Sequence, residues 1–236
     1  MNARRFVPVF LLAAGLLLTA ACSAHNDTDG ASLSTSNAAN GSFTEGKQYV
    51  RIAHAGQKAA GPVVIVEVFS YACPHCAEFA PFFARLRGKL PSNVQVRYMP
   101  AVFNESWEPY ARAFYAAKEL GVLKSTHDQV FKAMMEHYPL NSLDDLADFY
   151  ASRGVDRQKF MDAAKSPHTD AAMAADTKIE QGWGIDATPM LVVGRLQNDS
   201  PDAPVVADYR SNEVDSYEQL AQLGGWLIQR EAQQKD

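Results

Sequence analysis

Between residues 63 and 76 the chain reads Val63-Val64-Ile65-Val66-Glu67-Val68-Phe69-Ser70-Tyr71-Ala72-Cys73-Pro74-His75-Cys76, a β-branched apolar run that leads into two cysteines separated by two residues. Val and Ile suit a pleated, buried surface, and the run is apolar on both faces except at Glu67, as a central strand would be. Pro74 suits a first helical turn, where a missing N–H costs nothing, and Phe79, Phe82, Phe83, Leu86 and Leu90 then supply a mostly apolar helix surface. The cysteines therefore fall where a strand turns into a helix.

A helix N-terminus presents unpaired N–H groups and about half a positive charge, which favours a thiolate over a thiol. Cys73, ahead of the first turn, gains most from this and is the candidate nucleophile. Cys76, about one turn further in and more shielded, is the candidate resolving thiol. His75 can donate a hydrogen bond or a charge to the Cys73 sulfur. A stabilised thiolate is also a good leaving group, so a Cys73–Cys76 disulfide would pass readily to other thiols and the pair would be oxidising. Two plainer readings compete. Half of a zinc site would need further ligands, and the chain has no second Cys-x-x-Cys and no His-x3-His. A purely structural disulfide closing so short a loop would constrain the unfolded chain little.

The 236 residues, 47% hydrophobic and 21% charged, are enough for one large core or a core with an inserted subdomain. The formal charge of −5 becomes −7 once Arg4 and Arg5 are set aside with a leader, which argues against nucleic acid as a partner. That leader, residues 1–22, has a positive end at Arg4 and Arg5, an apolar stretch from Phe6 to Leu18 and small residues at Thr19-Ala20-Ala21. Export implies an oxidising compartment. Of the 3 cysteines, the odd one, Cys22, ends this segment. Thr19-Ala20-Ala21-Cys22 is similar to a bacterial lipoprotein cleavage box, with Leu18 one place early. The alternatives are a lipidated Cys22 and ordinary cleavage near Ala21 or Ala24. Residues 23–46, rich in Ser, Ala, Asn, Asp, Thr and Gly, read as a flexible tether.

After the tether, residues 48–52 alternate like an edge strand, and the apolar run, its helix and residues 94–99 give strand, helix, strand, as in a parallel pair. Residues 106–182 carry helical periodicity throughout. Caps are expected at Ser106, at Ser125 or Thr126, at Ser142 with Asp145, at Asp156 and at Thr169, and Gly121 and Gly154 close two of the helices. Strand signals return at residues 190–193 and 205–209, as a hairpin, and Ser216 with Gln219 opens a last helix. The predicted architecture is α/β, with residues 47–105 and 183–236 forming one domain around an all-helical subdomain inserted at 106–182. His25, His54, His127, His137 and His168 share no spacing and are expected at the surface.

Cys73-Pro74-His75-Cys76, the helical block and Thr188-Pro189 ahead of a strand together resemble the DsbA family of periplasmic thiol-disulfide oxidoreductases, over residues 48–232. The resemblance implies a thioredoxin-like fold with a helical insertion. It also implies that Thr188-Pro189 is a cis-proline loop beside the reactive cysteine that binds substrate through the backbone of Thr188. X-Pro bonds are seldom cis, and the resemblance alone singles out Pro189. Thr188 stands where the best-known member has valine, at a position that tunes substrate release. Glu67 matches the buried acid that such enzymes keep beneath the active site, where a carboxyl could relay the Cys76 proton; a strand-end glutamate reaching solvent is the alternative. A depressed nucleophile pKa is itself a trait of this family, so the two lines of reasoning agree without being independent.

The resemblance further implies a protein dithiol oxidase of the periplasm, acting as a monomer on unfolded exported proteins with free cysteines. A quinone-linked membrane partner of the DsbB type would reoxidise it, with no dissociable cofactor and no metal. The rivals are an isomerase or reductase kept reduced in the same compartment, for which Thr188 is the argument, and a non-catalytic chaperone using the insertion as a peptide groove.

Overall fold

The computed structural model describes residues 42–53 and 56–234. The leader, the cleavage box with Cys22, most of the tether, His25 and His54 lie outside them. Strands β1 (Tyr49–Arg51), β2 (Val63–Phe69), β3 (Gln95–Pro100), β4 (Met190–Leu196) and β5 (Val205–Ser211) form one sheet in the order β1-β5-β4-β2-β3. Helix α1 (Pro74–Arg87) links β2 to β3, the sheet's parallel pair; the other pairings are antiparallel. This is the thioredoxin-like arrangement, with β2 central and buried along its whole length.

Alternation along β2 sorts the core. Val63 and Ile65 join Leu191, Val193 and Tyr209 under α1 and the last helix, α7 (Tyr217–Gln233), where Phe79, Phe83, Leu220, Leu223 and Leu227 meet them. Val64, Val66 and Val68 face the opposite way, with Met99, Val192 and Leu196. Each buried aliphatic side chain here contributes about 1.5–3 kcal/mol, so register is strongly held: a one-residue slip would turn Glu67 into a Val position throughout. Residues 42–46, which composition assigns to the tether, belong to this body, because Phe43 lies edge-on to Trp226 with ring centroids 5.6 Å apart.

Between β3 and β4 run a 3-10 turn (Glu105–Trp107) and the helices α2 (Glu108–Glu119), α3 (Leu123–Met135), α4 (Leu143–Ala151), α5 (Arg157–Ala164) and α6 (Pro167–Trp183). Their shared core contains Phe114, Val130, Phe131, Phe149, Tyr150 and Phe160, and it takes in Phe69 and Tyr71 from the end of β2. The caps at Ser142, Asp156 and Ser216 form as expected, each side chain accepting from the backbone N–H three residues on. Three others do not. Asn104, not Ser106, receives the first N–H, and it opens the 3-10 turn that precedes α2. Helix α3 starts at Leu123, so Ser125 and Thr126 already lie inside it and donate their hydroxyls back to the Val122 carbonyl. Ser166 caps α6, and Thr169 is the residue whose N–H it accepts. At Asn104 and Ser166 a polar residue two to three places earlier takes the bond, whereas α3 begins after Val122 with no side-chain cap. Among the described residues no helix is long and apolar enough to cross a membrane.

At the irregularity between Val193 and Gly194, β5 passes so close that a Cβ on Gly194 would lie 2.0 Å from the Val206 carbonyl oxygen. Gly194→Ala is therefore expected to lower stability by about 1–3 kcal/mol. Gly225→Ala in α7 meets only Leu86, at 3.5 Å, and is expected to raise stability by up to about 1 kcal/mol by removing backbone freedom from the unfolded chain. Urea melts of the two variants would check both signs.

Candidate active site

The end of β2 delivers Cys73 as the residue before α1, with extended backbone (φ −89°, ψ 113°) and Pro74 in the first turn. Its N–H donates to the Ser70 carbonyl at 3.1 Å, and the N–H groups of Cys76 and Ala77 return to its own carbonyl at 3.1 and 3.2 Å. The turn thus folds back over itself and holds both sulfurs in place. Cys73 keeps 5% of its surface exposed and Cys76 none, and both are free thiols.

The two sulfurs differ in their affinity for a proton. Cys73 is lowered to about 6, first by the hydrogen bond it accepts from the Cys76 thiol, then by Thr188 and by the backbone N–H groups of Cys76 and His75, against the opposing effect of burial. Cys76 is pushed far up by burial and by the neighbouring sulfur anion. One proton therefore stays on Cys76, where it also supports the charge on Cys73.

The Thr188–Pro189 peptide bond is cis, and as a thiol Cys73 donates to the Thr188 carbonyl at 3.5 Å. The loop expected beside the reactive sulfur is beside it. Pro189 also lines a cavity of about 440 Å³ with Phe82, Val214, Tyr217 and Leu220.

His75 is placed differently from the expectation. Its ring is 71% exposed and turned to α7, with Nδ1 2.8 Å from the Tyr217 hydroxyl and 3.5 Å from Glu78. What His75 gives Cys73 is its backbone N–H. The charge attributed to its side chain is replaced by a peptide dipole at the helix start.

Glu67 is 1% exposed, which removes the alternative of a solvent-reaching glutamate. Burial raises it to about 8, opposed by Arg87. Its Oε1 has no hydrogen-bond partner among the described residues. On the far side of its cross-strand neighbour Tyr98 lies a polar group that the sequence analysis left at the surface. His127, expected at the surface, is 3% exposed, shares a hydrogen bond between Nδ1 and Tyr71 Oη at 2.8 Å, and packs tilted against Tyr98 with ring centroids 4.1 Å apart. The Tyr98 hydroxyl bonds Arg87, which pairs with Asp128 at 2.7 Å. His137 and His168 are exposed as expected. The signal for His127 was its helical spacing: it shares a face of α3 with the buried Val130 and Phe131. Tyr217 was legible only as the residue after a cap. Among the described residues no group of three or more His, Cys, Asp or Glu stands together as metal ligands would.

Burial lowers His127 to about 3, so the folded protein holds it neutral where the unfolded chain, with an ordinary value near 6.5, takes up a proton. Its contribution to stability is complete above about pH 6.5 and is lost as pH falls toward 3. The stability advantage of the wild type over His127→Phe is expected to shrink across that interval, as read by denaturant melts at a series of pH values.

Residues 49–205 match the family profile described as Thioredoxin. The chain is 32% identical over 153 residues to the thiol:disulfide interchange protein DsbA of Pseudomonas aeruginosa, covering 64% of this chain and 72% of the relative. It is 34% identical over 164 residues to the thiol:disulfide interchange protein DsbA of Burkholderia cepacia, covering 66% and 77%. The crystal structure of the oxidoreductase DsbA from Xylella fastidiosa superposes with a TM-score of 0.66 at 29% identity, over 79% of this chain and 96% of that one.

Proposed function

Because the chain belongs to the DsbA family of thiol-disulfide oxidoreductases, we propose that Cys73 is the sulfur through which it passes a disulfide to substrate and Cys76 the thiol that stays behind. The enzyme is a protein dithiol oxidase, and its substrates are proteins with cysteines. A substrate thiolate attacks the Cys73 sulfur of the oxidised pair. The Cys73–Cys76 bond breaks, its electron pair leaves on Cys76, and Cys76 takes up a proton. A second substrate thiolate then attacks the substrate sulfur of the mixed disulfide and releases Cys73 as a thiolate. Two substrate thiols have become a disulfide, and the enzyme holds the two electrons as its dithiol.

The observation that carries this assignment is the opposed proton affinity of the two sulfurs. A thiolate that is stable at neutrality is a good leaving group in the second step and stabilises the reduced enzyme, which makes the disulfide a strong oxidant. Glu67 supplies the proton that Cys76 needs; its burial and its raised pKa support that role. Pro74 starts the helix that holds the charge, and His75 contributes its N–H. Thr188 and Pro189 bind an extended substrate segment through the backbone beside Cys73, with the groove at Phe82 and Tyr217 receiving its side chains.

Export through the leader at residues 1–22 takes the enzyme to the periplasm, with Cys22 as the lipid attachment point and residues 23–41 as spacer. There it acts as a monomer on unfolded exported proteins and is reoxidised by a quinone-linked membrane partner of the DsbB type. Neither rival, isomerase or chaperone, gains an observation from the site.

Equilibration with glutathione is expected to give a redox potential well above the roughly −270 mV of thioredoxin, and a value at or below that figure would reject the oxidase assignment. Cys73→Ser is expected to abolish oxidation of a reduced model protein. Glu67→Gln is expected to slow turnover about a hundredfold while leaving the Cys73 titration midpoint in place, as followed by thiolate absorbance and stopped-flow fluorescence.

A further inference from the structure

The Tyr217 hydroxyl donates to Glu78 Oε2 at 2.6 Å and lies 2.8 Å from His75 Nδ1. Having committed its proton to the carboxylate, the oxygen is left to accept, so the proton between it and His75 sits on Nδ1. A neutral imidazole with its proton there has only a lone pair at Nε2 and cannot donate to a sulfur anion. Glu78 Oε2 also lies 3.5 Å from Nδ1, so the same edge of the ring faces both partners. Tyr217 is held in this post by its own ring, which packs against Phe79 and Phe82 with centroids 6.1 and 6.0 Å away.

We propose that Tyr217 is a positioning residue that latches His75 away from Cys73 and so moderates the oxidising strength of the Cys73–Cys76 pair. The one side chain between the two cysteines that could donate to the thiolate is engaged with the start of α7, more than 140 residues along the chain. The thiolate is left to the Cys76 thiol, Thr188 and backbone N–H groups. Releasing the ring would add a donor, deepen the preference for thiolate and raise the oxidising power. This rests on Cys73 being the nucleophile.

The test is Tyr217→Phe, which keeps the ring on Phe79 and Phe82 and removes only the hydroxyl, made in the wild type and in a His75→Ala background. Folding is checked by circular dichroism. In the wild-type background the Cys73 midpoint is expected to fall, and the equilibrium constant for oxidising glutathione to rise roughly two- to fivefold, the size expected of an exposed polar interaction. In the His75→Ala background Tyr217→Phe is expected to change neither quantity, because the hydroxyl acts through the imidazole. No shift in the wild-type background, a shift toward a higher midpoint, or the same shift in both backgrounds would overturn the latch. If instead wild-type Cys73 shows no titration below neutrality, the assignment of the nucleophile fails, and that is seen before any variant is measured.

Discussion

The chemistry proposed for this protein depends on the contrast between two neighbouring sulfurs. Cys76 is fully enclosed, so its thiol keeps its proton and points it at Cys73, and Cys73, at the open end of a helix, carries the charge. Burial does opposite things to neighbours only three residues apart, because one has a donor set around it and the other is itself a donor. The rest of the site preserves that asymmetry. The turn at Ser70 to Ala77 fixes the sulfurs relative to the helix start, and β2, buried throughout, gives the turn a rigid base.

That base is not wholly apolar. Glu67 is the one ionisable side chain on β2, near Tyr98, Arg87, Asp128 and Tyr71, and His127 joins the group through Tyr71 and Tyr98. Tyr71 and His127, which are buried, would be costly to bury alone, by roughly 1–3 kcal/mol for an unpaired polar atom. Here most of the group are paired with one another across β3, α1 and α3, so the interface between sheet and inserted helices is specified by polar contacts as well as by shape. Phe69 marks the same junction in apolar terms, with Tyr71, Phe114 and Phe131 edge-on around it. The turn that carries the cysteines therefore grows from the seam where the two cores meet.

Much of this was legible from local pattern. The all-apolar run announced a central strand, the helical periodicity announced the insertion, and Ser142, Asp156 and Ser216 were found as caps because a cap is a contact between residues three apart. The same locality explains the errors. Ser106 and Thr169 were plausible caps displaced by the polar residues Asn104 and Ser166 slightly upstream, Ser125 lies inside a helix that begins at Leu123 with no side-chain cap, and His127 was read as exposed because a lone histidine carries no sign of burial unless its helical face is followed to Val130 and Phe131.

The sequence by itself determined which atoms we propose to react: two sulfurs two residues apart, at the join of a buried strand and a helix whose dipole favours an anion on the first. Those are near-neighbour facts, set by backbone geometry. Only the tertiary structure decided what each sulfur meets. Thr188 reaches Cys73 across 115 residues, Tyr217 reaches His75 across 142, and His127 reaches Tyr71 across 56. Proton affinities are set by the groups within a few ångströms of an atom. Which groups those are follows from how sheet, insertion and last helix pack, and no periodicity along the chain records it.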